Sequence, residues 1–154
     1  MKKRSIVVSV SAFVLMVGLS GCSSAMSQEE AGQTYRSAVC AVNNIGYEMD
    51  DASDDMDMGR VRDLAGDSAV ASADAAETLR DASWPDVIDP DDIEAVASYY
   101  EDQAESMTAI SEAQTMADMM VIRPSASDFQ PAVKRIREAL DLPSTLSDDC
   151  RNLK

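Results

Sequence analysis

An all-α fold is what this sequence predicts first, arranged as an antiparallel up-and-down four-helix bundle. Two observations carry it. Beyond about position 28, apolar residues recur at the i, i+3, i+4, i+7 spacing of one helix face in four separate segments. No segment alternates apolar and polar residues as a half-buried strand does, and no internal repeat divides the chain. Four amphipathic helices joined by short connections pack as neighbours that run in opposite directions.

The first helix is predicted over about 28–49. Tyr35, Ala38, Val39, Val42, Ile45 and Met49 form its apolar face, and Gly46 on that face permits a close neighbour. The second is predicted over about 54–82 with Ser53 as N-cap. Met58, Val61, Ala65, Ser72, Ala76 and Leu79 share its face; most are small, which calls for tight packing. Trp84-Pro85 stops it. The third starts with Asp89 as cap and Pro90 in the first helical position, a combination that leaves no wasted backbone donor. Its apolar spacing runs from Ile93 through Tyr100, Met107, Ile110 and Ala117 to Val121, where Arg123-Pro124 ends it. The fourth is the shortest. Ser127 and Gln130 read as a capping box, Ala132, Val133, Ile136, Ala139 and Leu140 as the buried face, and Pro143 as the stop.

The N-terminus obeys different rules. Lys2, Lys3 and Arg4 precede an uncharged stretch over 6–19, the length of a signal h-region and short for a membrane span of about 20 apolar residues. Leu19-Ser20-Gly21-Cys22 follows. This tetrad resembles the lipobox of bacterial lipoproteins, in which a branched apolar residue and small residues precede a cysteine. The resemblance implies a signal peptide over 1–21, cleavage before Cys22 and a diacylglyceryl thioether on its sulfur. It places the protein at the cell membrane, lipid-anchored on the extracytoplasmic side. Residues 22–27 are then the lipidated cysteine and its short tether, and 28–154 the helical bundle domain. In an up-and-down bundle the first helix leaves the membrane, and the loop from Trp84 to Asp89 lies close to it. The segment 35–43, with Tyr35, Cys40 and Asn43, also resembles the opening helix of uncharacterised actinobacterial lipoproteins. That likeness covers nine residues and implies no activity.

Three cysteines are present. With Cys22 taken by lipid, Cys40 and Cys150 remain as an even pair in an oxidising compartment, where a disulfide is expected. It would close the bundle by pinning the tail after the fourth helix to the middle of the first.

Composition excludes several functions. The chain carries 28 acidic against 13 basic residues, a net charge of −15, and residues 1–21 contribute basic residues but no acid. Such a domain repels nucleic acid and anionic lipid. It contains no histidine, which removes Ser-His and Cys-His catalysis and most metal sites. Neither Ser-x-x-Lys nor a Gly-rich phosphate loop occurs, so no enzyme activity and no cofactor are expected.

Four groups of residues remain as candidates. Asp50, Asp51, Asp54, Asp55 and Asp57 crowd the first interhelical turn. They fit neither register of an EF-hand loop, which needs Gly at position 6 and Glu at 12; no metal site is expected there. Met56 and Met58, with Met116, Met119 and Met120, are soft ligands suited to Cu(I), though gap-filling is the simpler role. Trp84, Tyr99 and Tyr100, besides Tyr35, Tyr47 and Phe129, offer ring faces for a sugar or peptide, or for the membrane interface in the case of Trp84. Lys134, Arg135 and Arg137 are the one basic cluster after the signal segment and are expected to pair with the protein's own acids. The reading is a lipid-anchored binding or interaction module of the envelope, with another envelope protein as candidate partner. A small-ligand or metal-binding (Ca or Cu) lipoprotein is the first alternative, and a phage-encoded lipoprotein that excludes superinfection the second.

Overall fold

The computed structural model describes residues 25–122 and 128–152. Residues 1–24, with Cys22 and its lipobox, lie outside that range, as do Arg123, Pro124 and Ser127. The described residues form helices and no strand. Three helices are long: α1 (Gln28–Asp54), α2 (Met58–Asp81) and α3 (Pro90–Glu112). Three are short: α4 (Met116–Val121), α5 (Gln130–Ala139) and α6 (Ser147–Asn152).

Local chemistry accounts for most of the boundaries. Ser27 opens α1 through a capping box with Glu30, whose carboxylate accepts from the Ser27 N–H (2.9 Å) and hydroxyl (2.8 Å). Those bonds hold the Glu30 carboxyl below the usual carboxylate range. Asp89 caps α3 by accepting from the Asp91 N–H at 3.0 Å, with Pro90 in the first turn as expected.

The α1–α2 turn departs from expectation. α1 continues to Asp54, and Asp57, not Ser53, caps α2, accepting from the Arg60 N–H at 3.1 Å. The helix closes with a Schellman pair, Asp57 N–H to Ala52 C=O (2.9 Å) and Met56 N–H to Ser53 C=O (3.0 Å). The position that usually holds glycine is Met56, at φ 55°.

The predicted third helix is also two elements. α3 ends at Glu112 with Ala113 in extended conformation, and a second capping box, Thr115 with Asp118, starts α4. The fourth predicted helix begins at Gln130, which makes Gln130 its first residue and not the third. Phe129 stands at the N-cap and makes no side-chain capping bond.

Packing follows from side-chain size. α2 buries Ala65, Ser68, Ala69, Ser72, Ala75 and Ala76. Small residues on several sides of one helix let two neighbours approach it, and α2 packs against both α1 and α3. α5 packs on α3 and α6 on α1. Tyr35, Leu79, Val96, Ile136, Leu146 and Cys150 are among the most deeply buried side chains of one shared core. A fully buried large apolar side chain contributes about 1.5–3 kcal/mol. The predicted faces are largely those buried. At the far end of the third predicted face, however, Ala117 and Val121 are exposed on α4, where nothing covers them among the described residues.

The Cys40–Cys150 disulfide is present, with Cα atoms 4.8 Å apart. It joins the middle of α1 to α6, a one-and-a-half-turn helix where only an irregular tail was expected.

Candidate functional site

Because α1 and α3 both pack on α2, a trough is left between them, and α5 lies along it. The trough is a cleft of about 340 Å³. α1 supplies Tyr35, Val39, Asn43 and Tyr47, four positions spaced i, i+4, i+8 and i+12. α3 supplies Tyr99, Tyr100 and Gln103; α5 supplies Gln130 from its first turn and Arg137 from its last, with Phe129 at its N-cap. All four tyrosines of the chain and Phe129 therefore meet in one place.

The rings are ordered by contact with each other. Tyr99 stacks on Phe129 with centroids 3.6 Å apart and planes 15° from parallel. Tyr100 meets the edge of Tyr99 at 5.5 Å. Tyr35 is fully buried and Tyr100 nearly so; burial pushes both hydroxyls above the ordinary phenol range, opposed at both by the nearby Arg137 charge and at Tyr35 also by a hydrogen bond from Arg137. At the other end the Arg151 guanidinium of α6 lies 4.7 Å over the Tyr47 ring, a cation–π contact. The disulfide thus holds the element that closes this end. Gly46 lies in the wall, and a Cβ there would meet nothing within 4 Å. At 1.5 Å per residue, the stretch of α1 from Tyr35 to Asp50 along the cleft is about 22 Å long.

Apart from the four tyrosines and Phe129, the residues singled out from sequence are dispersed. Cys22 is outside the described residues. Cys40 and Cys150 form their disulfide. Asp57 caps α2, and among the described residues no three Cys, Asp or Glu side chains converge as metal ligands would. Met56, Met116 and Met120 are largely exposed. Trp84 packs on the core and donates its indole N–H to the Leu79 carbonyl at 2.7 Å. The basic cluster splits. Arg135 grips the buried Asp92 two-pronged, with Nε–Oδ2 2.9 Å, and Lys134 lies 3.7 Å from Glu138. Among the described residues Arg137 has no carboxylate partner, where pairing with an acid was expected: its Nη1 donates to the Ser144 carbonyl at 2.6 Å and its Nε is buried without an acceptor.

No known family model, curated protein or solved structure matches this chain.

Sequence reasoning missed the cleft as a unit. Tyr99, Tyr100, Tyr35, Tyr47 and Phe129 were all legible as aromatics, but their convergence depends on α5 lying in the trough. Gln103 carried no signal, Gln130 signalled only a helix start, and Asn43 only the short likeness over 35–43. The trace that existed was the four-residue recurrence of Tyr35, Val39, Asn43 and Tyr47, which places an amide and two rings on one stripe beside the apolar face. Among the described residues, no helix is long and apolar enough to cross a membrane.

Proposed function

We propose that this protein is a lipid-anchored binding module of the extracytoplasmic membrane face, tethered through Cys22, with the cleft between α1, α3 and α5 as its binding site. The observation that carries the reading is the convergence of five aromatic rings with three amide side chains in one concave place. Ligand sites are concave, of a few hundred Å³, and combine apolar and aromatic walls with a few polar groups. The cleft has that makeup.

The up-and-down arrangement belongs to the same proposal. Arg62 reaches the Ala113 carbonyl, Gly66 lies against Ser111, and Arg80 binds Glu94. Rising positions on α2 thus pair with falling positions on α3, which supports an antiparallel pair. The Met26 N–H donates to the Ser83 carbonyl at 2.8 Å. Met26 lies four positions after Cys22, at most about 14 Å of extended chain. The α2–α3 loop is then the membrane-facing end, and the cleft opens sideways above it.

Gly46→Phe tests the cleft. Its side chain enters open space in the wall, so the fold should keep its thermal midpoint. A thermal-shift screen of small ligands on the full chain should yield compounds that stabilise the wild type, by about 2.7 kcal/mol at 100 times their dissociation constant. The same compounds should leave Gly46→Phe unmoved. A screen with no hit, or hits that stabilise both proteins equally, would count against the cleft as a binding site.

A further inference from the structure

Arg137 is the cation at the inner end of the cleft, and among the described residues it has no carboxylate counter-ion. The contrast with its neighbours is specific. Arg80 uses its Nε and Nη2 edge to hold both Glu94 oxygens, at 3.0 and 2.9 Å. Arg135 uses the same edge on Asp92. Arg137 turns its Nη1 to the Ser144 carbonyl and its guanidinium also donates to the Tyr35 hydroxyl, but its Nε is buried without an acceptor and it has no ion pair among the described residues. A guanidinium is always charged, and a buried donor left without a partner costs stability. From this inner end the cleft runs past the Tyr99–Phe129 stack to Asn43 and Gln103.

We infer that the cleft takes a small molecule carrying a carboxylate on a ring: the carboxylate pairs with Arg137 and the ring lies against the Tyr99–Phe129 wall. This rests on the reading of the cleft as a binding site. To pair with the carboxylate, Arg137 must turn its buried Nε edge from the Ser144 side into the cleft, where it would adopt the geometry that Arg80 and Arg135 have with carboxylates. Aromatic faces accept either the C–H face of a sugar ring or another aromatic ring. Asn43 and Gln103 each offer a donor and an acceptor to ring substituents. The shared chemistry is thus a ring acid, and its two sources are sugar acids and aromatic acids. Asp50 at the outer end disfavours a second negative charge, so a monoanion fits better than a dianion.

Calorimetric titration of the full chain in detergent decides this with four probes: galacturonate against galactose, and 4-hydroxybenzoate against phenol. At least one acid should bind saturably, roughly 10- to 100-fold tighter than its uncharged counterpart, the range of a hydrogen bond to a charged group. Which pair shows the difference tells sugar acid from aromatic acid. Arg137→Gln should bring that ratio close to one, and Arg137→Lys, which keeps the charge without the fork, should restore part of it. Thermal midpoints of both variants report whether loss of the Ser144 contact has disturbed the fold. Equal binding of acid and neutral partner to the wild type would overturn the carboxylate assignment while leaving the cleft a binding site. An undiminished ratio in Arg137→Gln would also overturn it, and no binding of any probe at millimolar concentration would overturn the ring acid as ligand.

Discussion

Replacing Cys40 and Cys150 together by alanine is expected to lower the unfolding free energy by about 2–5 kcal/mol. The two cysteines are 110 positions apart, and the chain-entropy model gives a ceiling of ~4.7 kcal/mol for a loop of that size. A domain of ordinary stability, ~5–15 kcal/mol, would lose a large share. The effect should also be localised. α6 is six residues long, far below the length at which a helix persists without tertiary support. It is held by the disulfide, by Leu146 and by the Arg151–Tyr47 contact. α5 has independent anchors in Ile136 and in the Arg135–Asp92 pair. Urea unfolding gives the total, and hydrogen exchange with and without reductant gives its location. Amides of α6 should lose protection first, those of α5 later. Unchanged exchange across α6 after reduction would show that the bond has no structural role there.

Cys22→Ser is expected to have an all-or-none effect on location. The thioether to the diacylglyceryl group needs sulfur as nucleophile, and a hydroxyl at the same place is far less reactive. Two acyl chains on one residue give stable anchoring, where a single chain gives only reversible binding. Without lipid, no helix among the described residues replaces the anchor. Labelling with an alkyne-bearing fatty acid should fall to background in Cys22→Ser. The precursor should then accumulate uncleaved or the domain be shed. A Cys22→Ser protein that is processed and retained in membranes like the wild type would contradict the lipoprotein reading.

Helical content and most of the buried faces were legible in the sequence because they depend on periodicity, which packing preserves. Tyr35, Val39, Val61, Leu79, Ile93, Tyr100 and Ile136 are buried as their spacing required. The disulfide was legible by counting. Boundaries failed where local chemistry departs from its commonest form. Asp50, Asp51 and Asp54 sit in the last turn of α1, against the helix dipole, so they read more naturally as the start of the next helix. The closing motif holds Met56 in place of glycine and therefore gave no stop signal. Periodicity carried the third helix across Ala113, although Thr115 and Asp118 already had capping-box spacing. α6 is too short to display a period. The cleft was not legible because it is a consequence of order in space: α2 lies between α1 and α3, and only then does the trough with Arg137 at its inner end exist.

The lipid anchor on Cys22 is the claim on which the placement of every other feature depends, and the mass of one peptide tests it. Trypsin applied to protein extracted from membranes should release the fragment from Cys22 to Arg36, the first tryptic site after the cysteine. The predicted result is a fragment that begins at Cys22 and carries a diacylglyceryl group on its sulfur, with or without a third acyl chain on its amine. A fragment that begins at another residue, or one with a free thiol at Cys22, would contradict the account.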